Sequence, residues 1–146
     1  MKYQTRSYTC GPAAAVNALR LYGLQVPEAH VAKLAGTTSE GTDDRRLMRA
    51  LRKLGCKPTA ICLTSTVRKR VSAGIPVIIH LDEELHWVVI IGCLGPNLIA
   101  FDSWRSKGNI EENGVRVIPP EELGGKVFGI CVNRPPVESS DENLDA

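Results

Sequence analysis

Gln4-Thr-Arg-Ser-Tyr-Thr-Cys10-Gly11-Pro12-Ala13-Ala-Ala-Val16 is the stretch on which the reading of this chain turns. A glutamine stands six residues ahead of a cysteine, and the cysteine stands at the threshold of a helix. Gly11-Pro12 supplies helix-start chemistry, because proline is tolerated in the first turn, where its missing N–H is not needed. Ala15, Val16, Leu19 and Tyr22 then recur with helical period from Pro12 up to Gly23, a natural C-terminal cap. A thiol at a helix N-terminus meets the positive end of the macrodipole and unpaired backbone N–H groups, which favour the thiolate. The pattern points to a nucleophile with an oxyanion-binding side chain nearby, provided that a histidine completes it.

Working outward, the rest of the first half reads helical. Pro27 to Ala35 forms a short second helix closed by Gly36. Thr42 reads as an N-cap with Asp43 and Asp44 in the first turn of a third helix. Its Leu47, Ala50, Leu51 and Leu54 line one face until Gly55 stops it. The second half reads as strands: Pro76 to His80, His86 to Gly92, Leu98 to Asp102 and Val127 to Val132. Their apolar continuity implies burial on both faces. Leu94-Gly-Pro-Asn97 is turn chemistry, so 86–92 and 98–102 should form a hairpin. Pro119 to Leu123 looks like a single helical turn. The expected architecture is α+β, with N-terminal helices packed on a C-terminal antiparallel sheet.

Composition bounds the function classes. A chain of 146 residues with 43% hydrophobic and 23% charged residues describes one globular domain able to bury a core. Nothing reaches the roughly 18 consecutive apolar residues of a membrane span, and the N-terminus lacks the apolar core of a signal peptide. Five cysteines (Cys10, Cys56, Cys62, Cys93 and Cys131) form an odd set without C-x-x-C spacing. They argue against a disulfide scaffold or zinc ribbon and for a reducing, cytoplasmic setting. The net charge is +2, but Glu138, Asp141, Glu142 and Asp145 sit in the last ten residues without a base, leaving eighteen bases against twelve acids elsewhere. Those bases are scattered and read as a solvated surface rather than a nucleic-acid footprint. Arg134-Pro-Pro and the acidic stretch 135–146 are expected to be disordered.

Of three histidines, His30 falls on the short second helix and reads as incidental, and His80 ends a strand before Asp82-Glu-Glu84 and reads as structural or solvent-facing. His86 differs, because it begins the most apolar strand. Asp102 lies 16 residues later, across the turn and near the same end of the hairpin. An even separation allows both side chains onto one face. Directly opposed Cβ atoms would be roughly 4.5–5.5 Å apart, close enough for a carboxylate to reach an imidazole. Direct opposition, however, needs a turn centred on Leu94, whereas the turn residues centre nearer Pro96, so a bulge or irregular turn must absorb the offset. Cys10, His86 and Asp102 would then form a nucleophile, its base and the group that orients the base. Gln4 would donate to an oxyanion beside the Cys10 backbone N–H. Trp104 should share the face of Asp102, where it either shields the pair from water or fills the core.

Gln4 to Ala13 resembles the bacteriocin-processing (double-glycine leader) peptidases, whose signature is Gln, a short spacer, Asp-Cys-Gly and a helix. Thr9 stands where that family usually has aspartate. Gly41 to Cys56 looks like the family's later helix, Gly74 to Val77 its following strand, and His86-Trp-Val-Val-Ile-Ile-Gly92 with Asp102-Ser-Trp104 is similar to the histidine strand and Asn-Ser-Trp segment of papain-like enzymes. The resemblance covers roughly residues 3 to 132. It implies a papain-like cysteine peptidase domain over 1–134, acting on a peptide or protein substrate without cofactor or metal. Cys10 would be the nucleophile, His86 the base, Asp102 the orienting acid and Gln4 the oxyanion donor. The same site chemistry also serves acyl transfer or deamidation, and a related domain can hold a peptide without cutting it. A metal site from Cys10, His86 and Cys93 is disfavoured by the lack of local ligand pairs.

Overall fold

The apolar runs of the second half become strands of one sheet in the computed structural model, which describes residues 1–104 and 114–133. Along the chain the elements are α1 (Cys10–Arg20), α2 (Glu28–Ala35), α3 (Asp44–Lys53), β1 (Lys57–Leu63) and α4 (Thr64–Ser72). There follow β2 (Val77–Leu81), a 3-10 turn (Asp82–Glu84), β3 (His86–Leu94), β4 (Asn97–Phe101), β5 (Val115–Ile118), α5 (Pro120–Leu123) and β6 (Lys126–Asn133). The six strands are ordered β1-β6-β2-β3-β4-β5, with every neighbouring pair antiparallel. The expected α+β class holds. The expected disorder of 135–146 concerns residues outside the described ones.

Helices cover both faces of this sheet, and that accounts for strands that read as continuous apolar runs. On one face α1, α2 and α3 close a core around Leu19, Val31, Leu47, Leu51, Ile78, Val89 and Ile130. On the other, Val67 and Val71 of α4 pack on Val77, Ile79, Val88, Ile90, Ala100 and Ile118. In β2 successive residues Val77, Ile78 and Ile79 enter opposite cores, and all three are fully buried.

Neither β1 nor α4 was anticipated from the sequence. β1 is an edge strand whose residues are mostly exposed, so it has no apolar alternation to read. In α4 only Val67 and Val71, one turn apart, face the core, and the rest is polar. The helices therefore do not all precede the sheet. A smaller correction concerns α3. Its N-cap is Asp43, whose side chain accepts a hydrogen bond from the Arg46 backbone N–H at 2.9 Å. Thr42 is instead buried, with its hydroxyl 2.6 Å from that of Thr37.

α1 is buried along nearly its whole length. Its alanines allow close approach to the sheet, and a helix buried all round has no polar face to display. Its single polar interior residue, Asn17, is satisfied by the N-terminal segment: Lys2 N–H donates to Asn17 Oδ1 at 2.7 Å, and Asn17 Nδ2 donates to Lys2 O at 2.9 Å. The segment that carries Gln4 is thereby tied to the helix that carries Cys10.

Candidate active site

Cys10 is the first residue of α1 and His86 the first residue of β3, and the fold brings the two together. Gly11 explains part of the fit. A Cβ there would lie 3.3 Å from Thr42 Cβ and 3.4 Å from Trp87 Cδ1, so glycine lets the helix start settle against both. Trp87 is held in turn by its indole N–H, which donates to Thr42 O at 3.0 Å.

His86 and Asp102 meet, though not by the direct opposition expected. The hairpin pairs Leu94 with Asn97, Cys93 with Leu98 and Gly92 with Ile99, then slips so that Ile90 faces Ala100 and Val89 faces Phe101. The extra residue, Ile91, is a β-bulge. Without it the register would set Asp102 opposite Val89, on the side of the strand away from His86. With it, Asp102 falls opposite Val88, two residues from His86 and on the same side. The pair is a diagonal one, spanned by the side chains. His86 Nε2–H donates to Asp102 Oδ1 at 2.6 Å, with His86 3% and Asp102 0% exposed. That leaves Nδ1 for the thiol. Asp102 lies one residue beyond β4, and its backbone N–H donates to Gly114 O at 2.9 Å, continuing the ladder to β5.

The electrostatics follow from these contacts. Burial works against a charged Cys10, but the hydrogen bond with His86, the backbone N–H groups of Trp87 and Gly11 and the histidine's charge outweigh it and hold the thiol below its ordinary value. Burial also opposes charge on His86, yet Asp102 and Cys10 raise its pKa to about 9. Asp102 is buried too, and His86, the Trp104 backbone N–H at 2.9 Å and Arg116 keep its carboxyl below the usual range. Shifts of the thiol and the imidazole in these opposite directions favour a thiolate–imidazolium pair over the neutral pair. Elsewhere, burial raises the pKa of Cys56 and of Cys131.

Gln4 is fastened to Ser103, just past Asp102, and to its own N-terminal segment. Its backbone N–H donates to Ser103 O at 3.0 Å and its Oε1 accepts from Ser103 Oγ at 2.7 Å. Its Nε2 donates to Arg6 O at 2.8 Å, with Ser7 O farther off at 3.4 Å. The Trp104 ring stands edge-on to His86, with ring centroids 6.4 Å apart. His30 is exposed on α2, while His80 Nδ1 meets Asp82 Oδ1 at 2.6 Å and its ring packs on Trp87. Among the described residues no group of three or more His, Cys, Asp or Glu side chains is arranged to hold a metal ion, and Cys93 lies in the other core from Cys10.

One buried group was missed. Arg116 of β5 is 3% exposed and donates through Nη1 to Asp102 Oδ2 at 3.0 Å and to Glu84 Oε1 at 2.9 Å. In the sequence it is the lone base of Val115-Arg-Val-Ile118, where strand alternation marks it as a side chain facing water. Nothing local announces that its side of the strand is enclosed.

Residues 1–115 match the model of the peptidase C39 family. The chain belongs to that family. An uncharacterized protein of Methanothermobacter thermautotrophicus is 41% identical over 89 residues, and the match spans 60% of this chain and 60% of that relative's length. A second uncharacterized protein, from Methanothermobacter marburgensis, is 29% identical over 99 residues, 68% of each chain. Among solved structures, the fold is similar to the peptidase domain of Streptococcus ComA, a bifunctional ABC transporter involved in a quorum-sensing pathway (TM-score 0.75, 22% identity, covering 91% of this chain and 97% of that one). It is also similar to a double-glycine-motif protease from an AMS/PCAT transporter in complex with its leader peptide (TM-score 0.71, 24% identity, 92% and 89% covered). This C39-family chain therefore has the papain-like cysteine peptidase fold, and no helix among its described residues is long and apolar enough to cross a membrane.

Proposed function

We propose that this C39-family protein is a cysteine peptidase that cleaves a peptide bond through a thioester formed on Cys10. The observation that carries the reading is the continuous link from the Cys10 thiol through His86 to a fully buried Asp102. In this scheme the Cys10 thiolate attacks the scissile carbonyl carbon and the carbonyl π pair moves to oxygen. Collapse of the tetrahedral species expels the amine, which takes its proton from His86 Nδ1–H. Neutral His86 next removes a proton from water, the resulting nucleophile attacks the thioester, and the Cys10 thiolate leaves. Asp102 keeps the imidazole in the tautomer that presents Nδ1 to sulfur.

Gln4 is assigned the oxyanion, together with the Cys10 backbone N–H, which as the first of a helix has no intrahelical partner. Gln4 Nε2 donates to Arg6 O at 2.8 Å and to Ser7 O at the longer 3.4 Å. In this reading the longer, weaker contact is the one that a substrate oxygen displaces. The peptide substrate is inferred from family membership, and five free cysteines suit a reducing, cytoplasmic setting.

The test is digestion of a peptide library by wild-type protein and by Cys10→Ala, read by mass spectrometry. Shortened chains from the wild type alone are expected. A one-dalton gain at glutamine or conjugated chains would replace hydrolysis by deamidation or acyl transfer, and identical peptide binding with no product from either form would leave a binding domain.

A further inference from the structure

Arg116 sits where three strands and a turn converge. His86 of β3, Asp102 just past the end of β4 and Arg116 of β5 are successive diagonal neighbours across adjacent strands. In the β4–β5 ladder Arg116 pairs with Ala100, and Asp102 hydrogen-bonds Gly114, so the two side chains are offset by two residues just as His86 and Asp102 are. The guanidinium uses both hydrogens of Nη1, one for Asp102 Oδ2 and one for Glu84 Oε1, while Nη2 binds Glu84 Oε2. Glu122 of α5 comes within 3.8 Å of Nη2.

Glu84 closes the 3-10 turn immediately before Leu85 and His86. Leu85 holds a left-handed backbone (φ 50°) and is 80% exposed. That conformation is unfavourable for leucine, so the turn must be fixed by something outside it. The fork on Glu84 provides that anchor. One cation thus binds both the carboxylate that faces His86 and the turn from which His86 springs.

We propose that Arg116 is a positioning residue for the site: it clamps Asp102 to the His86-bearing turn and so aims Oδ1 at the imidazole. The inference rests on the peptidase reading above. Its geometry solves a problem inherent to this hairpin, where a bulge and a diagonal contact leave the His86–Asp102 approach undetermined by strand pairing alone. Two bonds on Oδ2 and Oδ1 from opposite sides, with the Trp104 N–H also on Oδ1, leave the carboxylate one orientation. The groups facing the imidazole and the clamp are Cys10 from α1, Asp102 after β4, Glu84 from the turn and Glu122 from α5.

Position and charge predict opposite signs in Glu84→Gln and different outcomes in Arg116→Lys, and that makes the proposal testable. As a bare charge effect, loss of the Glu84 carboxylate would favour the Cys10 thiolate and move its ionisation to lower pH, and Arg116→Lys, which keeps the cation, would leave it in place. As a clamp Arg116 supports the imidazolium by holding Asp102 in place, so loss of the fork in either variant would weaken the pair with Cys10 and return the thiol toward ordinary behaviour. The experiment measures the rate of Cys10 alkylation by iodoacetamide from pH 4 to 10 in the wild type, Arg116→Met, Arg116→Lys and Glu84→Gln. Thermal melts establish that each protein is folded.

The acid-side midpoint is expected to move up by about one pH unit in Arg116→Met, a loss of about tenfold in rate below that midpoint. Arg116→Lys keeps the charge without the fork and should move the same way by less. Glu84→Gln, a change at a half-buried side chain, should also move upward and carries the test if Arg116→Met does not fold. A midpoint that stays in place or moves down in the folded variants overturns the proposal while leaving the peptidase reading intact. A wild-type Cys10 with no low-pH reactivity overturns both.

Discussion

Replacing His86 with alanine should cost Cys10 most of its reactivity in mild acid and very little in alkali. The size of the effect follows from the thiolate fraction. A thiol of ordinary pKa, about 8.5, is only about 0.3% ionised at pH 6, so an intact ion pair can raise the thiolate population by at most about 300-fold there. A thiolate of lower basicity is also a weaker nucleophile, with a Brønsted coefficient of about 0.4–0.5, which takes back a large part of that gain. The expected wild-type to His86→Ala rate ratio at pH 6 is therefore about 10- to 100-fold. Burial of Cys10, which opposes the thiolate, persists in the variant and pushes the ratio toward the upper end. By pH 10 the ratio should approach one, because both thiols are then ionised. Alkylation with iodoacetamide, followed by site-resolved mass spectrometry, reads Cys10 while exposed Cys62 in the same molecule serves as the reference for reagent access. The cavity left by the missing imidazole would speed access equally at all pH values, so the pH dependence of the ratio is the informative quantity. A ratio near one at pH 6, or labelling of Cys56 or Cys131 ahead of Cys10, would refute the ion pair.

The same pair should make folding stability depend on pH in a defined window. His86 has a folded pKa of about 9 against 6.5 for a free histidine, so its contribution is complete below pH 6.5 and disappears as pH rises through 9; Asp102, whose pKa is depressed, contributes above the free carboxyl value near 4 and loses it in stronger acid. Urea titrations of wild type and His86→Ala should therefore differ most between about pH 4.5 and 6.5, with the difference falling above pH 9 to the constant cost of the lost packing, and a difference that grew with pH would contradict the assignment. Val67→Ala should destabilise the protein by about 1.5–3 kcal/mol in the same assay, because the side chain is fully buried between α4 and the sheet; a loss below about 0.5 kcal/mol would mean that α4 does not seal that face.

Much of the fold was legible because it rests on local chemistry. The glycine stops, the apolar stripe Leu47–Ala50–Leu51 and the uninterrupted run from Trp87 to Ile91 each follow from the period of one element. β1 and α4 were not legible for the same reason. An exposed edge strand needs no apolar residues, and a helix that caps a sheet with two valines carries too little pattern to stand out. The candidate site divides similarly. A cysteine at a helix start and a histidine opening a buried strand are anomalous where they stand, whereas Arg116 on a short alternating strand is not.

By itself, the sequence determined which groups are available: a thiol placed where a helix dipole favours its anion, an imidazole, a carboxylate sixteen residues beyond it and a glutamine ahead of the thiol. Residue identity and local period suffice for that, because helix ends and strand faces are short-range properties. Only the tertiary structure decided how those groups meet. The bulge at Ile91 sets which side of β4 Asp102 occupies, and the enclosure of β5 turns an alternating arginine into a buried cation between two carboxylates. Register and burial depend on partners far away in the chain, and no window of sequence contains them.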